Sequence, residues 1–294
     1  MKDCIVQAIS SSRYIKAVAV RTTNTVGQAV RIHKTMPACT AALGRTLSAA
    51  AIMGNDIKED KGSITISIRG DGIGGGITVV SDNQGNTRGY IQNPAADLPL
   101  KPNGKLDVAG IVGREGAITI IKDFGAGEPY VGKVNLVSGE IAEDITAYFA
   151  QSEQVPTVCA LGVFVEVDYT VKVAGGIIIS VLPGAPEEEL EKLERCLPNI
   201  PQVSDFFVDD KTPWDYIKQA LPDFDMVFLH AHDIEYKCYC SKQRVEKALA
   251  SLSQAELADM ADKQGAHQVT CQFCDEIYEF SIEKSPDGRY NLSM

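Results

Sequence analysis

Four cysteines near the end of the chain set the strongest constraint on its fold: Cys238-Tyr-Cys240, then thirty residues, then Cys271-Gln-Phe-Cys274. Two thiol pairs on tight knuckles, far apart in sequence, form one tetrahedral metal site if the fold brings them together. Zinc is the ion that such a thiolate set suits best. The same sulfurs offer two ready-made disulfides, so the site is a candidate redox switch. Other readings stay open at this point. The site could be a structural zinc staple with no regulatory role. One of His230, His232 and His267 could replace a thiolate. An iron–sulfur cluster is a further option, although its usual cysteine runs are spaced differently.

Length and charge bound the rest. At 294 residues the chain allows about two domains. Its net charge of −11 argues against a general binder of nucleic acid, whose phosphates an acidic surface repels. The start, Met-Lys-Asp-Cys-Ile-Val-Gln, lacks the basic and apolar regions of a signal peptide. The densest apolar stretch, near 158–182, is interrupted by Glu166, Asp168, Lys172 and Gly175-Gly176, which argues against a membrane span. A cytoplasmic location is expected. In that reducing compartment, paired cysteines more often bind metal or cycle redox state than form permanent disulfides.

Periodicity divides the chain in three. Residues 1–182 read as one α+β domain, layered β/β/α with mixed sheets. Within it, strands are expected at 13–22, 63–69, 76–81, 87–91, 117–122, 130–136, 157–168 and 171–182. Helices are expected from Asn24 or Thr25 to Lys34, from Pro37 to Gly54, and over 139–152 with Ser138 as cap. Leu182-Pro-Gly-Ala-Pro186 then breaks the pattern. Residues 184–232 hold eleven acidic and four basic side chains, so this stretch carries most of the net charge. It also holds Leu190, Leu193, Phe206, Phe207, Trp214, Ile217 and Phe228. The composition suggests a metastable, mainly helical linker over 183–232 that folds only by lying on something. Residues 233–294 form a small third part. It has a helix near 241–251, a second opened by the capping box Ser253-Gln-Ala-Glu256 and closed by Gly265, and a hairpin turning at Pro286-Asp-Gly288. About sixty residues bury too little surface to be securely stable without a staple.

These parts suggest a mechanism. Structural zinc couples on the order of 10–16 kcal/mol to the folding of such peptides. Oxidation removes the ligands, and each thiol pairs most easily with its sequence neighbour: Cys238 with Cys240, Cys271 with Cys274. One long-range cross-link is then exchanged for two local ones. The small part should unfold, and a linker resting on it should be released, uncovering apolar surface.

Other features point elsewhere less strongly. Gly70-Asp-Gly72-Ile-Gly74-Gly75 matches the dinucleotide-binding glycine pattern, but a strand-like Ile77-Thr-Val-Val80 follows where a helix is required, so a glycine hairpin is expected. Cys4, Cys39, Cys159 and Cys196 are scattered and read as small apolar residues. No catalytic constellation can be placed by spacing. A thiol–disulfide oxidoreductase would set Cys271-x-x-Cys274 at a helix start, whereas here it follows a strand-like stretch. A zinc-ribbon module for nucleic acid would lean on Lys237, Lys242, Arg244 and Lys247, against the acidic balance of the whole.

The cysteine pattern resembles that of the heat-shock protein 33 family of redox-regulated chaperones. Further stretches resemble the family too: His33-x₃-Pro37 into Ala41-Ala-Leu-Gly-Arg45, Gly70-Asp-Gly72, Gly139-Glu-Ile-Ala-Glu-Asp144 and Ser152-Glu-Gln154. So does Val245-x₂-Ala248-Leu249 through Glu256-Leu257, and the likeness spans essentially the whole chain. The resemblance implies a reduced, inactive form with one Zn²⁺ on Cys238, Cys240, Cys271 and Cys274. It implies an oxidised form with the disulfides Cys238–Cys240 and Cys271–Cys274, an unfolded C-terminal region and a tendency to dimerise. That form would be an ATP-independent holdase: no enzyme, but a binder of unfolding clients that later pass to ATP-dependent chaperones. Client binding is expected over the apolar surface of the sheet and linker.

Overall fold

The computed structural model describes residues 1–261, 267–285 and 289–293. The chain forms two compact units, Met1–Lys237 and Cys238–Met294.

The larger unit is built on two five-stranded sheets. The first takes β1 (Cys4–Ser10), β2 (Ile15–Arg21), β8 (Thr157–Val165), β9 (Val171–Val181) and β10 (Met226–Asp233), in the order β10-β1-β2-β9-β8. The second takes β3 (Ser63–Gly70), β4 (Ile77–Asp82), β5 (Thr87–Ile91), β6 (Gly116–Asp123) and β7 (Tyr130–Asn135), in the order β5-β4-β3-β6-β7. Every ladder among these strands is antiparallel, so the α+β class holds but the sheets expected to be mixed are not. Five of the eight ladders join consecutive strands through short hairpins, which antiparallel pairing allows.

Helices α1 (Thr23–His33) and α2 (Pro37–Asn55) follow the first hairpin. Pro37 presets the first turn of α2, and its Ala-rich run lets backbone approach backbone. All of α2 except Pro37, Arg45 and Asn55 is buried, because it shares one core with strands of both sheets. Gly44 marks the closeness: a Cβ there would stand 2.8 Å from both Val26 and Val163. A short α3 (Val108–Val112) completes the β5–β6 connection.

The helix expected over 139–152 is shorter than its sequence pattern. It runs as α4 (Ala142–Tyr148) and continues into a wider turn over Phe149–Glu153. Its start is held by Asp144 and not by Ser138. Asp144 Oδ1 accepts from the Val137 and Ser138 amides at 2.7 and 3.1 Å, and Oδ2 from Ile141 at 2.9 Å. A buried carboxylate accepting several amides outcompetes a hydroxyl, whose oxygen here bonds only the Glu140 amide. The glycine run at 70–75 is a hairpin turn between β3 and β4, with no helix after it.

Residues 183–237 belong to the larger unit. They supply α5 (Glu187–Cys196), α6 (Val203–Phe206) and α7 (Pro213–Ala220), then β10. Thr212 and Asp215 cap α7 reciprocally, and Pro213 fills its first position. Together with the outer face of the first sheet these residues make a second core. Ala17, Ala19, Ile177 and Ile179 come from the sheet, and Val203, Phe206, Phe207, Tyr216 and Ile217 from the covering segment. Two glycines seat it: a Cβ on Gly162 would lie 2.7 Å from Val203 Cβ, and one on Gly175 would lie 3.0 Å from the Phe207 ring. Buried Arg21 reaches out of the sheet to Asp210 of the segment at 3.3 Å. Strands β1 and β10 have no counterpart among the expected elements. β10 is an edge strand with Val227, Phe228 and Leu229 about half exposed, so it lacks the alternation that marks a half-buried strand. Its register comes from pairing with β1 at the opposite end of the unit.

In the smaller unit, α8 (Lys242–Leu249) is capped by Ser241, whose Oγ accepts from the Arg244 amide. The expected capping box opens α9 (Gln254–Ala261): Glu256 accepts from Ser253 N at 2.8 Å, and Ser253 Oγ from Glu256 N at 3.3 Å. A three-stranded antiparallel sheet holds β11 (His267–Thr270), β12 (Ile277–Lys284) and β13 (Tyr290–Ser293) in the order β11-β12-β13. Gly265 and the turn Pro286-Asp-Gly288 lie outside the described residues. Among those described, only Leu249, Leu257 and Phe280 of this unit are buried apolar side chains.

Candidate metal centre

The smaller unit brings its four cysteines together. The sulfurs of Cys238, Cys240, Cys271 and Cys274 all lie within 4.8 Å of one another, each half-buried. Cys238 and Cys240 precede α8. Cys271 and Cys274 occupy the turn between β11 and β12. That turn is closed by backbone bonds from Asp275 N and Cys274 N to Cys271 O (2.8 and 3.3 Å) and from Cys271 N to Glu276 O (2.9 Å). Asp275 takes a positive φ of 59° there, a conformation that short polar side chains tolerate. The amides thus fold the knuckle so that both sulfurs leave it on one side.

The donor set fits a tetrahedral thiophilic ion. Zn–S bonds of about 2.3 Å place tetrahedral sulfurs about 3.8 Å apart. The Cys238–Cys271 sulfurs are 3.7 Å apart and the Cys240–Cys274 sulfurs 3.3 Å. Both are far beyond the roughly 2.05 Å of a disulfide, and all eight cysteines of the chain are free. Four sulfurs make a closed shell with no place for a fifth donor. The histidines weighed as substitutes are elsewhere or undescribed. His230 and His232 lie side by side on β10 in the larger unit, with ring centroids 5.7 Å apart. The side chain of His267 lies outside the described residues.

The thiols are not equivalent. Burial opposes ionisation of Cys240, but hydrogen bonds from the Tyr278 hydroxyl (3.1 Å) and from the neighbouring thiols together hold its pKa below the ordinary value. Burial raises Cys238, as it does Cys274, where donation toward its neighbours adds to the effect. Tyr278, giving its proton toward Cys240, is itself pushed up. The sequence reading missed this tyrosine, because no local spacing ties it to the cysteines; the antiparallel return of β12 brings it there. The four remaining cysteines are separate from the cluster. Burial raises the pKa of each, Cys39 to about 11. Cys39 donates to the Ala96 carbonyl at 3.2 Å, as a small buried residue does. The Cys271–Cys274 turn leads into a strand and not a helix, so the setting of a thioredoxin-like C-x-x-C motif is not met.

A sequence model of the family described as Hsp33 protein matches residues 3–281. The chain belongs to the Hsp33 family. It is 44% identical to a 33 kDa chaperonin of Acetivibrio thermocellus over 96% of this chain and 95% of the relative. It is 42% identical to that of Clostridioides difficile, with 97% of each covered. Its fold is similar to the crystal structure of the 33 kDa chaperonin of Thermotoga maritima, with a TM-score of 0.87 and 34% identity over 96% of this chain and 95% of that one. An Hsp33-type chaperone with a C-terminal four-cysteine cluster that could bind a metal ion is therefore what the sequence and fold establish. No helix among the described residues is long and apolar enough to cross a membrane.

Proposed function

We propose that this Hsp33-family chain is an ATP-independent holdase whose client-binding surface is gated by the oxidation state of Cys238, Cys240, Cys271 and Cys274. The observation that carries the reading is the convergence of four free thiols, from two knuckles, in a unit with few buried apolar side chains among the described residues. In the reduced chain the four sulfurs would hold one Zn²⁺, which supplies the cross-link between the knuckles that the unit's few buried side chains cannot.

Oxidation acts on the thiols. Cys238 with Cys240, and Cys271 with Cys274, would each give two electrons to one peroxide, forming one S–S bond per pair; each peroxide takes two protons from solvent and becomes two waters, and Zn²⁺ would be released. With the ligands consumed, nothing ties the knuckles, and the small unit unfolds. The segment 183–232 then leaves the sheet, baring Ala17, Ala19, Ile177 and Ile179 together with its own Phe206, Phe207 and Ile217. That apolar surface is what an unfolding client binds. The oxidised form would associate as a homodimer and pass clients to ATP-dependent chaperones in the cytoplasm, with no role for nucleic acid or a membrane.

The test follows zinc release, disulfide mapping and suppression of aggregation of a heat-unfolded protein, on reduced and on peroxide-treated chain. Release of one zinc per chain, the two neighbour disulfides, and suppression only after oxidation support the reading. Zinc retained through oxidation, or equal suppression by both forms, reduces the centre to a structural staple.

A further inference from the structure

The first sheet has an edge that the fold leaves open. β8 is its last strand, paired with β9 alone. The Val181 amide bonds to Pro156 O, which fixes the ladder's phase. Alternation then turns the N–H and C=O groups of Cys159, Leu161 and Val163 away from β9. Among the described residues no group bonds to these outward amides and carbonyls. A groove of about 880 Å³ runs along this edge. Leu100, Leu106, Leu197, Ile200 and Val203 line it, together with charged Arg45, Lys105 and Asp205.

Edge strands are ordinarily guarded by charge or proline. The other edges of the larger unit follow that practice: β5 carries Arg88, β7 carries Lys133, and β10 carries Asp233. β8, Thr-Val-Cys-Ala-Leu-Gly-Val-Phe-Val, has no charge and no proline. Its outward backbone groups, at Cys159, Leu161 and Val163, form a largely apolar template without a strand partner. The groove is also continuous with the interface between sheet and covering segment, because Val203 both lines it and rests on Gly162 of β8. Lifting the segment widens the groove while leaving the β8–β9 ladder untouched.

We propose that the open edge of β8 is the docking strand for an extended, apolar segment of an unfolded polypeptide, which joins the sheet as a sixth strand. Backbone pairing supplies affinity without sequence preference, and the groove's apolar walls take alternate side chains. This rests on the holdase reading and adds where, and in what conformation, the client is held.

Leu161→Pro tests it. Proline is tolerated on an edge strand where its missing N–H faces outward. It removes one docking amide and sets a ring in the path of an incoming strand. Leu161→Ala shortens the side chain and keeps the amide. The probe is a synthetic peptide of alternating Val and Thr with isotope-labelled carbonyls, bound to peroxide-treated chain, plus the same peptide N-methylated at every second residue. The expected result is binding about 10-fold weaker to Leu161→Pro and little changed for Leu161→Ala, with zinc release equal in all. The labelled carbonyls should show the infrared signature of paired strands, and the N-methylated peptide should fail on the unaltered protein. That last arm decides the matter even where the proline variant does not fold. Equal binding of N-methylated and plain peptide overturns the proposal. So does a Leu161→Pro chain that holds the peptide normally but no longer self-associates, which would assign the edge to a second copy. Failure of the unaltered oxidised chain to release zinc or hold any client refutes the holdase reading itself, and this docking mode with it.

Discussion

Phe207→Ala should detach the segment 183–232 without oxidation. Phe207 is 1% exposed, lies over Gly175, and packs edge-on to Phe206 and tilted against Tyr216, both at 5.3 Å between centroids. Truncating a buried phenylalanine costs about 3–5 kcal/mol. Gly175 offers no side chain to collapse into the space, so the upper half of that range is expected. If the segment opens as a unit, the whole cost falls on its docking equilibrium, a shift of roughly 900- to 5,000-fold toward the open form. Trp214, the chain's only tryptophan, reports on this directly. It sits in α7, edge-on to Phe228 at 5.7 Å, and its emission should move to the red when α7 leaves. Amide exchange in α6 and α7 should accelerate by the same factor. Exchange in β3 and β6, which belong to the other core, should not change. The reduced variant should then suppress aggregation with its zinc still bound. Equal acceleration in β3 and α7 would refute the reasoning, since the segment would then be an inseparable part of one cooperative unit. So would an open segment with no gain in client binding.

Three further outcomes follow from the geometry. Cys271→Ser, or a strong chelator on the reduced chain, should unfold the smaller unit and release the segment 183–232 while leaving the sheet β5-β4-β3-β6-β7 folded, as read by amide exchange in each. Tyr278→Phe removes the hydroxyl that helps lower Cys240, so in metal-free reduced chain the Cys240 thiolate should titrate at higher pH and react more slowly with peroxide; ultraviolet thiolate absorbance checks it. Asp144→Ala should destabilise the larger unit by roughly 1–3 kcal/mol in urea, because it strands the buried amide of Ile141 and removes the acceptor for the part-buried amides of Val137 and Ser138.

Stability should depend on pH through His230. Burial first, then His232 and Lys16, depress its pKa below 6.5, against the pull of Asp56. The neutral ring is therefore favoured in the fold. Its contribution is present above the unfolded value of about 6.5 and is lost as pH falls through the depressed one. His230→Asn should flatten the fall in melting temperature below that point, and an unchanged profile would show that the histidine pair does not govern it.

Much of this protein is written locally. The alternation of Ser63-Ile-Thr-Ile-Ser-Ile-Arg69 fixes β3, because a half-buried strand needs that period whatever surrounds it. Pro37 and the alanine run fix α2, and Ser253 with Glu256 fixes the start of α9, since caps and turns act over three or four residues. The two cysteine pairs pointed to a cluster that could bind a metal ion, because thiolate chemistry belongs to the residues themselves. Tertiary structure decided the rest. It placed α2 between two sheets, which its composition could only suggest as close packing. It gave the start of α4 to Asp144, because a carboxylate that no solvent reaches gathers amides a serine cannot hold. It made Met226–Asp233 a strand by pairing it with Cys4–Ser10, a partnership between the two ends of the unit that no local period encodes. It brought Tyr278 to Cys240 through the return of β12, and it left one edge of β8 without a strand partner. Contacts between residues close in sequence are settled by covalent neighbours and side-chain period. Contacts between distant ones depend on which surfaces remain to be buried once the local elements exist, and that choice is made only by the folded chain as a whole.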